Sequence, residues 1–428
     1  MKANEYLYKK IRNLDHDILR PEFHFTAPYG WLNDPNGLIY YQGYYQLFYQ
    51  YNPYGTSWDK MHWGHARSKD LLNWQDMPIA MKPDHDYDKS GVFSGSAIKK
   101  GTRLYVIYTG QVEENGHVVE TQCVAYTDNG IDFIKYKNNP VMTVGDIPYN
   151  VDESNFRDPK VFEHNGKYYC VVAGAIDGKG TIVLFESNDL LNWKFKTLLL
   201  KDNPRLGIMT ECPDFIGFKN NDYLIFSSIL GKGKNSVVYI AKGKLDWEKF
   251  QFNLEKISRL DHGDDFYAPQ SLIKHDKHIL IPWLRSVDHV NYLNRTGHAW
   301  NGMMGIPRKL SDENGYLHQV PVGKIIDINA PIDQSIENGS YKLKFDFLED
   351  KKLVLHGING TVSIERSNKH YLINIDGPVF KKKVAWKGRT SCLIFVIDNS
   401  TLELFSKQNA LSMVTFVSQV YRLTWEER

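Results

Sequence analysis

The chain has 428 residues, which is too long for one average domain and suits two or three. A formal net charge of +2 with 24% charged residues supplies no strong electric field, so we expect neither a nucleic-acid partner nor a membrane-binding surface. The four cysteines lack the paired spacing of a zinc or redox motif, so we expect free thiols, no cofactor and a reducing compartment: Cys123, Cys170, Cys212 and Cys392.

The amino-terminal residues, MKANEYLYKKIRNLDHD, are polar and contain no apolar run of the kind found in a secretion signal. They predict a short helix followed by an extended segment that ends at Pro21. We therefore assign residues 1–22 to an N-terminal lead-in and expect a cytoplasmic protein.

A repeated unit follows the lead-in and returns five times. Each copy has an acidic or polar start, a short strand, a turn and a longer apolar strand, and the copies begin roughly 55 to 65 residues apart, a period typical of radial repeats. The copies read NDPNGLIYYQGYYQLFYQ (Asn33–Gln50), FSGSAIKKGTRLYVIYTG (Phe93–Gly110), RDPKVFEHNGKYYCVVAG (Arg157–Gly174), ECPDFIGFKNNDYLIFSS (Glu211–Ser228) and YAPQSLIKHDKHILIPWL (Tyr267–Leu284).

A second set of segments recurs at near-constant spacing and predicts a third strand, a polar turn and a returning fourth strand. These segments are ARSKDLLNW (Ala66–Trp74), AYTDNGIDF (Ala125–Phe133), FESNDLLNW (Phe185–Trp193) and IAKGKLDW (Ile240–Trp247). Four antiparallel strands per unit are typical of a propeller blade. We therefore predict an all-β fold in which residues 23–310 form a five-bladed β-propeller catalytic domain.

The composition changes after Leu310. The segment SDENG, with Pro321 and Pro331 behind it, predicts a linker over residues 311–339. Segments with period-two hydrophobicity then predict a small antiparallel β-sandwich over residues 340–428. This second domain contains no constellation of catalytic residue types.

Three of the five copies carry a carboxylate at nearly the same phase. Asp34 and Asp158 immediately precede a proline, and Glu211 lies two residues before one. One such Asp usually caps a turn, but the inner strands of a propeller converge, so three acids in register predict an active site. Hydrolysis of a glycosidic bond uses two carboxyl groups, and crowding of like charges keeps one of them protonated.

The residue types assign catalytic roles to these acids only in part. Glutamate has a longer reach and is a weaker acid than aspartate, which makes Glu211 the better proton donor. The residues alone leave open whether Asp34 or Asp158 attacks the sugar.

Five ordered motifs resemble the signatures of glycoside hydrolase family 32, which contains invertases, inulinases, levanases and sucrose-6-phosphate hydrolases. The lead-in segment RPEFHFTAPYGW and the segment DNSTLELF (Asp398–Phe405) are similar to that family as well. The five motifs are WLNDPNG (Trp31–Gly37), FSGSA (Phe93–Ala97), FRDPKVF (Phe156–Phe162), ECPDF (Glu211–Phe215) and DFYAPQ (Asp265–Gln270).

The resemblance implies a retaining mechanism with a covalent fructosyl-enzyme intermediate. It implies that Asp34 is the nucleophile and that Glu211 protonates the departing oxygen and then activates water. Asp158 would hold fructose hydroxyls and stabilise the transition state, and Arg157 would orient the acids.

A fructose pocket around these acids is also implied. Amides can donate to and accept from sugar hydroxyls, and tryptophans offer apolar faces to the ring. The expected substrate-binding residues, besides Arg157, are Trp31, Asn33, Gln50, Trp58, Phe93, Ser94, Tyr267 and Trp283.

A cytoplasmic member of such a family would meet sucrose 6-phosphate, the sugar that phosphorylating uptake supplies. A phosphate on the leaving glucose needs cations, and Arg285 is the first candidate for this contact. Lys232, Lys234 and Arg295 lie in nearby predicted loops.

The segment DHDYDKSG (Asp84–Gly91) superficially resembles a calcium loop. Lys89 and Gly95 stand where that loop requires a glycine and an acid, so we expect no metal.

The expected partner is therefore a small fructosyl disaccharide, with or without a phosphate, and the oligomeric state is left open. Three alternatives remain: an exo-hydrolase acting on inulin or levan oligosaccharides, an inverting arabinan- or xylan-cleaving propeller, and a catalytically silent sugar-binding propeller.

Overall fold

The computed structural model describes residues 3–11, 17–287, 289–327, 334–335, 341–347, 351–368, 370–388, 390–407 and 409–427. Within these residues strands are the main regular element, as predicted. The helical segments are the helices Ala3–Ile11 and Tyr292–Arg295 and the 3₁₀ turns Val144–Asp146 and Pro204–Leu206. No described helix has the length and apolar character that crossing a bilayer requires.

Five antiparallel sheets of four successive strands each, hereafter blades one to five, follow one another along the chain. The short strands Trp300–Asn301 and Met303–Met304 add to blades one and five. The blades comprise Gly30–Tyr41, Tyr44–Asn52, His62–Ser68 and Trp74–Asp76; Gly91–Lys100, Arg103–Glu114, His117–Thr127 and Ile134–Lys135; Val151–His164, Lys167–Ile176, Lys179–Ser187 and Trp193–Leu200; Met209–Gly217, Asp222–Ile229, Val237–Asp246 and Gln251–Arg259; and Phe266–Lys274, Lys277–Leu284, Arg308–Glu313 and Tyr316–Pro321.

The first strand of each blade, its inner strand, contacts the inner strands of both neighbouring blades, and the ring is closed. This closure confirms the predicted five-bladed propeller. The hydrogen bonds around the ring run from Ser94 Oγ to Asp34 Oδ2 (2.8 Å), Ser96 Oγ to the Pro159 carbonyl (2.7 Å), Lys160 Nζ to Asp214 Oδ2 (2.9 Å), Ser271 N to Asp214 Oδ2 (2.6 Å) and Leu38 N to Gln270 Oε1 (2.8 Å).

Every inner strand is interrupted by a register shift at an equivalent place. Bulges of this kind bend a strand and turn its side chains in a new direction. In three blades the bulged residue has a left-handed φ and precedes a proline, with φ of 62° at Asp158, 46° at Cys212 and 44° at Ala268. The residues at the five bulges are Asp34, Ser94, Asp158, Cys212 and Ala268.

Blade five ends later than the predicted boundary at residue 310. Its third and fourth strands are Arg308–Glu313 and Tyr316–Pro321. The repeat is obscured here because residues 285–307 are inserted between the second and third strands. Residues 311–321, predicted as the start of a linker, therefore complete the propeller, and part of the remaining predicted linker, 328–333 and 336–339, lies outside the described residues.

The second domain is a sandwich of two sheets, as predicted. Leu353, Ile364 and Ile373 of one sheet pack against Leu343 and Phe395 of the other in a single buried cluster. The sheets contain, in spatial order, Ile326–Asp327, Tyr341–Asp346, Cys392–Asp398, Thr401–Phe405 and Ala410–Val414; and Gln334–Ser335, Arg422–Glu427, Lys351–Gly357, Gly360–Ser367, His370–Asp376 and Lys381–Trp386.

A buried ion network joins the segment before blade one, the propeller and the sandwich. Arg308 donates from Nη1 to Asp261 Oδ2 (2.9 Å) and from Nη2 to Glu403 Oε2 (2.6 Å). The ring nitrogens of His24 lie 2.9 Å from Asp398 Oδ2 and 2.8 Å from Glu403 Oε1. Burial opposes the charged imidazolium, but hydrogen bonds to the two acids outweigh it and raise the pKa of His24 to about 9.

Candidate active site

Two aspartates, on the bulges of blades one and three, flank a single sulfur atom. Cys212 Sγ lies 3.5 Å from Asp34 Oδ2 and 3.5 Å from Asp158 Oδ2. Cys212 occupies the bulge of blade four, so it is the structural equivalent of the two aspartates. Glu211 lies one position earlier in the strand, so it does not occupy the position equivalent to theirs. The structure nevertheless brings together all three predicted acids.

Asp34 is held by two hydrogen bonds from its neighbours in the pocket. Ser94 Oγ donates to Oδ2 (2.8 Å) and Asn33 Nδ2 donates to Oδ1 (3.1 Å). Burial and the charge of Glu211 raise the pKa of Asp34, and these hydrogen bonds partly counter the rise. The side chain remains partly exposed. Its oxygens are therefore fixed in direction and still accessible to a substrate.

Asp158 is the most buried of the three acids, with 7% of its surface exposed. Its Oδ2 accepts a hydrogen bond from the Cys212 backbone N–H (2.8 Å), and its own N–H donates to Thr109 Oγ1 (3.0 Å). Burial and the charge of Glu211 raise the pKa of Asp158 to about 8. The uncharged form of this carboxyl group is therefore favoured near neutral pH.

This raised pKa predicts that Asp158→Asn stabilises the protein at alkaline pH. In the unfolded chain the carboxyl group ionises near pH 4, whereas in the fold it ionises near pH 8. Between these values the fold retains a proton that the unfolded chain has lost, so stability falls as the pH rises through this window. We expect the variant to gain on the order of 5 kcal/mol at pH 8, about 1.4 kcal/mol for each pH unit between the two pKa values, and almost nothing at pH 3, where both states are largely protonated. Urea denaturation at the two pH values measures the difference.

Asp189→Asn is the matched control, because its pKa is shifted in the opposite direction. Hydrogen bonds from Asn192 and nearby backbone outweigh burial and lower the pKa of Asp189 to about 2. This variant should lose stability at neutral pH. An Asp158→Asn protein that is no more stable at pH 8 than the unmodified chain would contradict the assigned shift.

Glu211 is positioned by Tyr267 and Arg157, both of which were predicted as pocket residues. The Tyr267 hydroxyl donates to Glu211 Oε2 (2.6 Å), and Arg157 Nε donates to Oε1 (3.3 Å). Arg157 is itself held by Glu120, to which Nη1 donates at 2.9 and 2.8 Å. Glu120 is buried, with 3% of its surface exposed, and our sequence reasoning missed it. The only signal was an acid that directly follows Val118 and Val119 in the strand His117–Thr127.

The aromatic residues predicted for the pocket divide into supporting and exposed members. Trp31 is buried and its Nε1 donates to Asn33 Oδ1 (2.8 Å), so it supports the amide that holds Asp34. Trp283 packs edge-on against Trp31 and Tyr267, with ring centroids 6.0 and 6.4 Å apart. These residues form one wall of the site.

Trp58 lies at the exposed rim of the predicted pocket. Its side chain is 57% exposed and meets Phe93 edge-to-face at 6.1 Å. Gln50 is buried, and its Nε2 donates to the Val92 carbonyl (3.0 Å), so its amide group is already tied to the backbone of blade two.

The cations proposed for a leaving-group phosphate occupy different settings. Arg285 stacks 4.3 Å over the Tyr267 ring, and its Nη2 donates to the carbonyls of Ser236 (2.8 Å) and Asp264 (3.1 Å). Lys232 and Lys234 are exposed in the loop between the second and third strands of blade four.

The remaining candidate, Arg295, is exposed at the end of the helix Tyr292–Arg295. Among the described residues, no hydrogen bond or ion pair joins it to the three acids.

The segment that superficially resembles a calcium loop forms a small acidic cluster. Asp84, His85 and Asp88 are the group of described residues whose ligand atoms lie close enough to hold a metal ion. The ammonium group of Lys135 forms ion pairs with Asp84 and Asp88. A cation from the chain itself thus already neutralises the cluster.

Comparison with known proteins gives a family for this site. Residues 24–321 match the model of the glycosyl hydrolases family 32 N-terminal domain. The chain is 36% identical over 361 residues to the sucrose-6-phosphate hydrolase of Escherichia coli, covering 81% of this chain and 73% of that protein. It is 36% identical over 342 residues to the sucrose-6-phosphate hydrolase of Zymomonas mobilis, covering 75% of this chain but only 65% of that protein's length.

The fold comparison agrees with the sequence comparison. The Bombyx mori GH32 beta-fructofuranosidase superimposes with a TM-score of 0.82 at 28% identity, covering 99% of this chain and 96% of that one. A variant of the silkworm enzyme has been solved in complex with sucrose. Because the family model spans most of the chain and relatives above 30% identity cover more than two thirds of it, this chain belongs to glycosyl hydrolase family 32.

Proposed function

We propose that the protein hydrolyses the β-D-fructofuranosyl bond of sucrose or sucrose 6-phosphate with retention of configuration. The observation that carries this proposal is the meeting of Asp34, Asp158 and Glu211 at one end of the propeller ring, each with a different set of partners. Relatives described as sucrose-6-phosphate hydrolases support the substrate class. A cytoplasmic location stays part of this proposal.

In the first step, Asp34 attacks the anomeric carbon of the fructosyl unit and forms a covalent ester. Its two oxygens are oriented by Ser94 and Asn33, so the attacking carboxylate loses little freedom when it reacts. The nucleophile must be ionised to attack. Because its pKa is raised, activity should fall on the acidic side at a higher pH than for an ordinary aspartate.

Glu211 transfers the proton. Its acid form protonates the glycosidic oxygen as the bond to the glucosyl unit breaks, and its carboxylate then removes a proton from the water that attacks the ester. Tyr267 and Arg157 each hold one of its oxygens, and this fixes the direction of the carboxyl group in both steps.

Asp158 binds the sugar and takes no part in bond making. Its raised pKa lets it keep a proton near neutral pH, so it can donate a hydrogen bond to one fructose hydroxyl while accepting one from another. An uncharged Asp158 also avoids a third negative charge beside Asp34 and Glu211.

The test is proton NMR of the first product formed from sucrose and from sucrose 6-phosphate. Retention predicts that β-fructofuranose appears first and mutarotates afterwards, because two displacements at one carbon restore the starting configuration. Initial appearance of the α-anomer would contradict the covalent mechanism. Higher catalytic efficiency on an arabinoside or on inulin oligosaccharides than on either sucrose substrate would contradict the substrate assignment.

A further inference from the structure

The loop between the second and third strands of blade four lies at the same end of the propeller as the three acids. It spans residues 230–236 and reads LGKGKNS. Glu211 pairs with Ser227 in the sheet, and the second strand ends two residues later, at Ile229, where the loop begins. The loop therefore rises next to the residue that protonates the leaving group.

A continuous set of contacts ties this loop to the proton donor. The Tyr267 hydroxyl donates to Glu211, and the guanidinium group of Arg285 lies 4.3 Å over the Tyr267 ring. The same guanidinium donates to the Ser236 carbonyl (2.8 Å) at the end of the loop. Arg285 also donates from Nε (3.2 Å) and Nη2 (3.1 Å) to the Asp264 carbonyl. Its hydrogen bonds thus hold the backbone around the leaving-group side.

The loop itself presents two cations on a turn. Gly231 and Gly233 have φ of 101° and 76°, and Lys234 N donates to the Gly231 carbonyl (3.2 Å), which closes the turn. Lys232 and Lys234 are exposed on it. Neither lysine forms an ion pair with another of the described residues. Two unpaired ammonium groups on a glycine-rich turn are chemically suited to an anion such as a phosphate monoester.

The acids nearest to this set of contacts have other partners. Asp264 pairs with Lys382 (3.7 Å). Asp265 is buried and accepts hydrogen bonds from the N–H groups of Val287 and Val414. The two lysines of the loop are thus not neutralised by these carboxylates.

We infer that Lys232 and Lys234 form the recognition site for a phosphate monoester on the leaving sugar, and that Arg285 positions their loop. This inference rests on the proposed hydrolysis of sucrose-type substrates and identifies the part of the chain that distinguishes the phosphorylated substrate. Arg285, the first candidate for the phosphate contact on sequence grounds, is here a positioning residue because its Nε and Nη2 already donate to backbone carbonyls.

The test compares kcat/KM for sucrose 6-phosphate and for sucrose in the double variant Lys232→Ala/Lys234→Ala. We expect the value for sucrose 6-phosphate to fall about 10- to 100-fold, because two charge-assisted contacts are lost, and the value for sucrose to change less than about twofold. In the unmodified enzyme, raising the salt concentration should reduce the preference for sucrose 6-phosphate, whereas the double variant should show little salt dependence.

The matched control is Lys219→Ala/Lys249→Ala, which removes two exposed lysines from turns at the opposite end of blade four. It should leave both substrates unaffected, and Lys232→Arg/Lys234→Arg should retain the preference. If the unmodified enzyme hydrolyses neither substrate, the proposed function fails. If it prefers sucrose 6-phosphate and the alanine double variant keeps that preference, only the inference about the loop is overturned.

Discussion

Replacing Asp34 with asparagine is expected to lower kcat on sucrose about 10,000-fold or more. Asparagine is nearly isosteric and can still contact Ser94 and Asn33, so the geometry of the pocket is kept. What is lost is the carboxylate that we propose forms the ester with the fructosyl unit, and a neutral amide cannot replace it. The raised pKa of Asp34 also means that the charge removed is an unfavourable one, so the variant should fold at least as stably as the unmodified chain.

Initial-rate measurements, with thermal denaturation as the check on folding, give the comparison. Asp59→Asn is the control, because Asp59 is an exposed acid next to the rim residue Trp58 and its loss should leave kcat within about twofold. A folded Asp34→Asn protein that retained more than about a hundredth of the activity would remove Asp34 from the role of nucleophile.

The second large effect is on stability. We expect Arg308→Met to cost about 3–5 kcal/mol, because it leaves Asp261 buried without a cation and Glu403 with His24 alone. Burial alone would raise the pKa of Glu403, but the charge of Arg308 and the hydrogen bond with His24 outweigh it and hold the pKa at about 2. Without the charge of Arg308, the pKa of Glu403 should be higher. The loss in the free energy of unfolding should therefore grow as the pH rises from 4 to 7.

Urea denaturation followed by tryptophan fluorescence measures this cost. Arg103→Met is the matched control: Arg103 also makes a two-pronged contact, with Asp128 at 2.8 Å from both Nε and Nη2, but the pair lies at the surface. Exposed pairs of this kind contribute little, so the control should unfold almost as the unmodified chain does. Equal losses of unfolding free energy in the two variants would show that the buried network contributes no more to stability than an exposed ion pair.

The repeating pattern of the sequence was sufficient to predict the propeller, the sandwich and the cluster of three acids. Alternating strands and polar turns are local signals, and a fold that repeats them needs little else to be recognised. The end of blade five was misplaced because its second and third strands are separated by an insertion, which a search for a regular period cannot anticipate. The interval between Leu284 and Arg308 contains no repeat signal of its own.

Partners of the acids were harder to predict because they depend on ring closure. Cys212 contacts Asp34 across 178 residues of sequence, and Arg157 contacts Glu120 in the neighbouring blade. The bulges added a second difficulty. They make Cys212, and not Glu211, the equivalent of Asp34 and Asp158, and a shift of one residue in a strand reverses the direction of a side chain.

The closed ring also has a consequence for how the enzyme is made. Leu38 of blade one donates to Gln270 of blade five, 232 residues further along the chain, so the ring closes only after the last inner strand has been synthesised. Contacts this distant in sequence form late, since the entropy of a long loop must be overcome first. Asp34 therefore leaves the ribosome long before Tyr267 arrives to position Glu211. A nascent chain carries its proposed nucleophile from the start but acquires the complete site only when the fifth blade docks against the first.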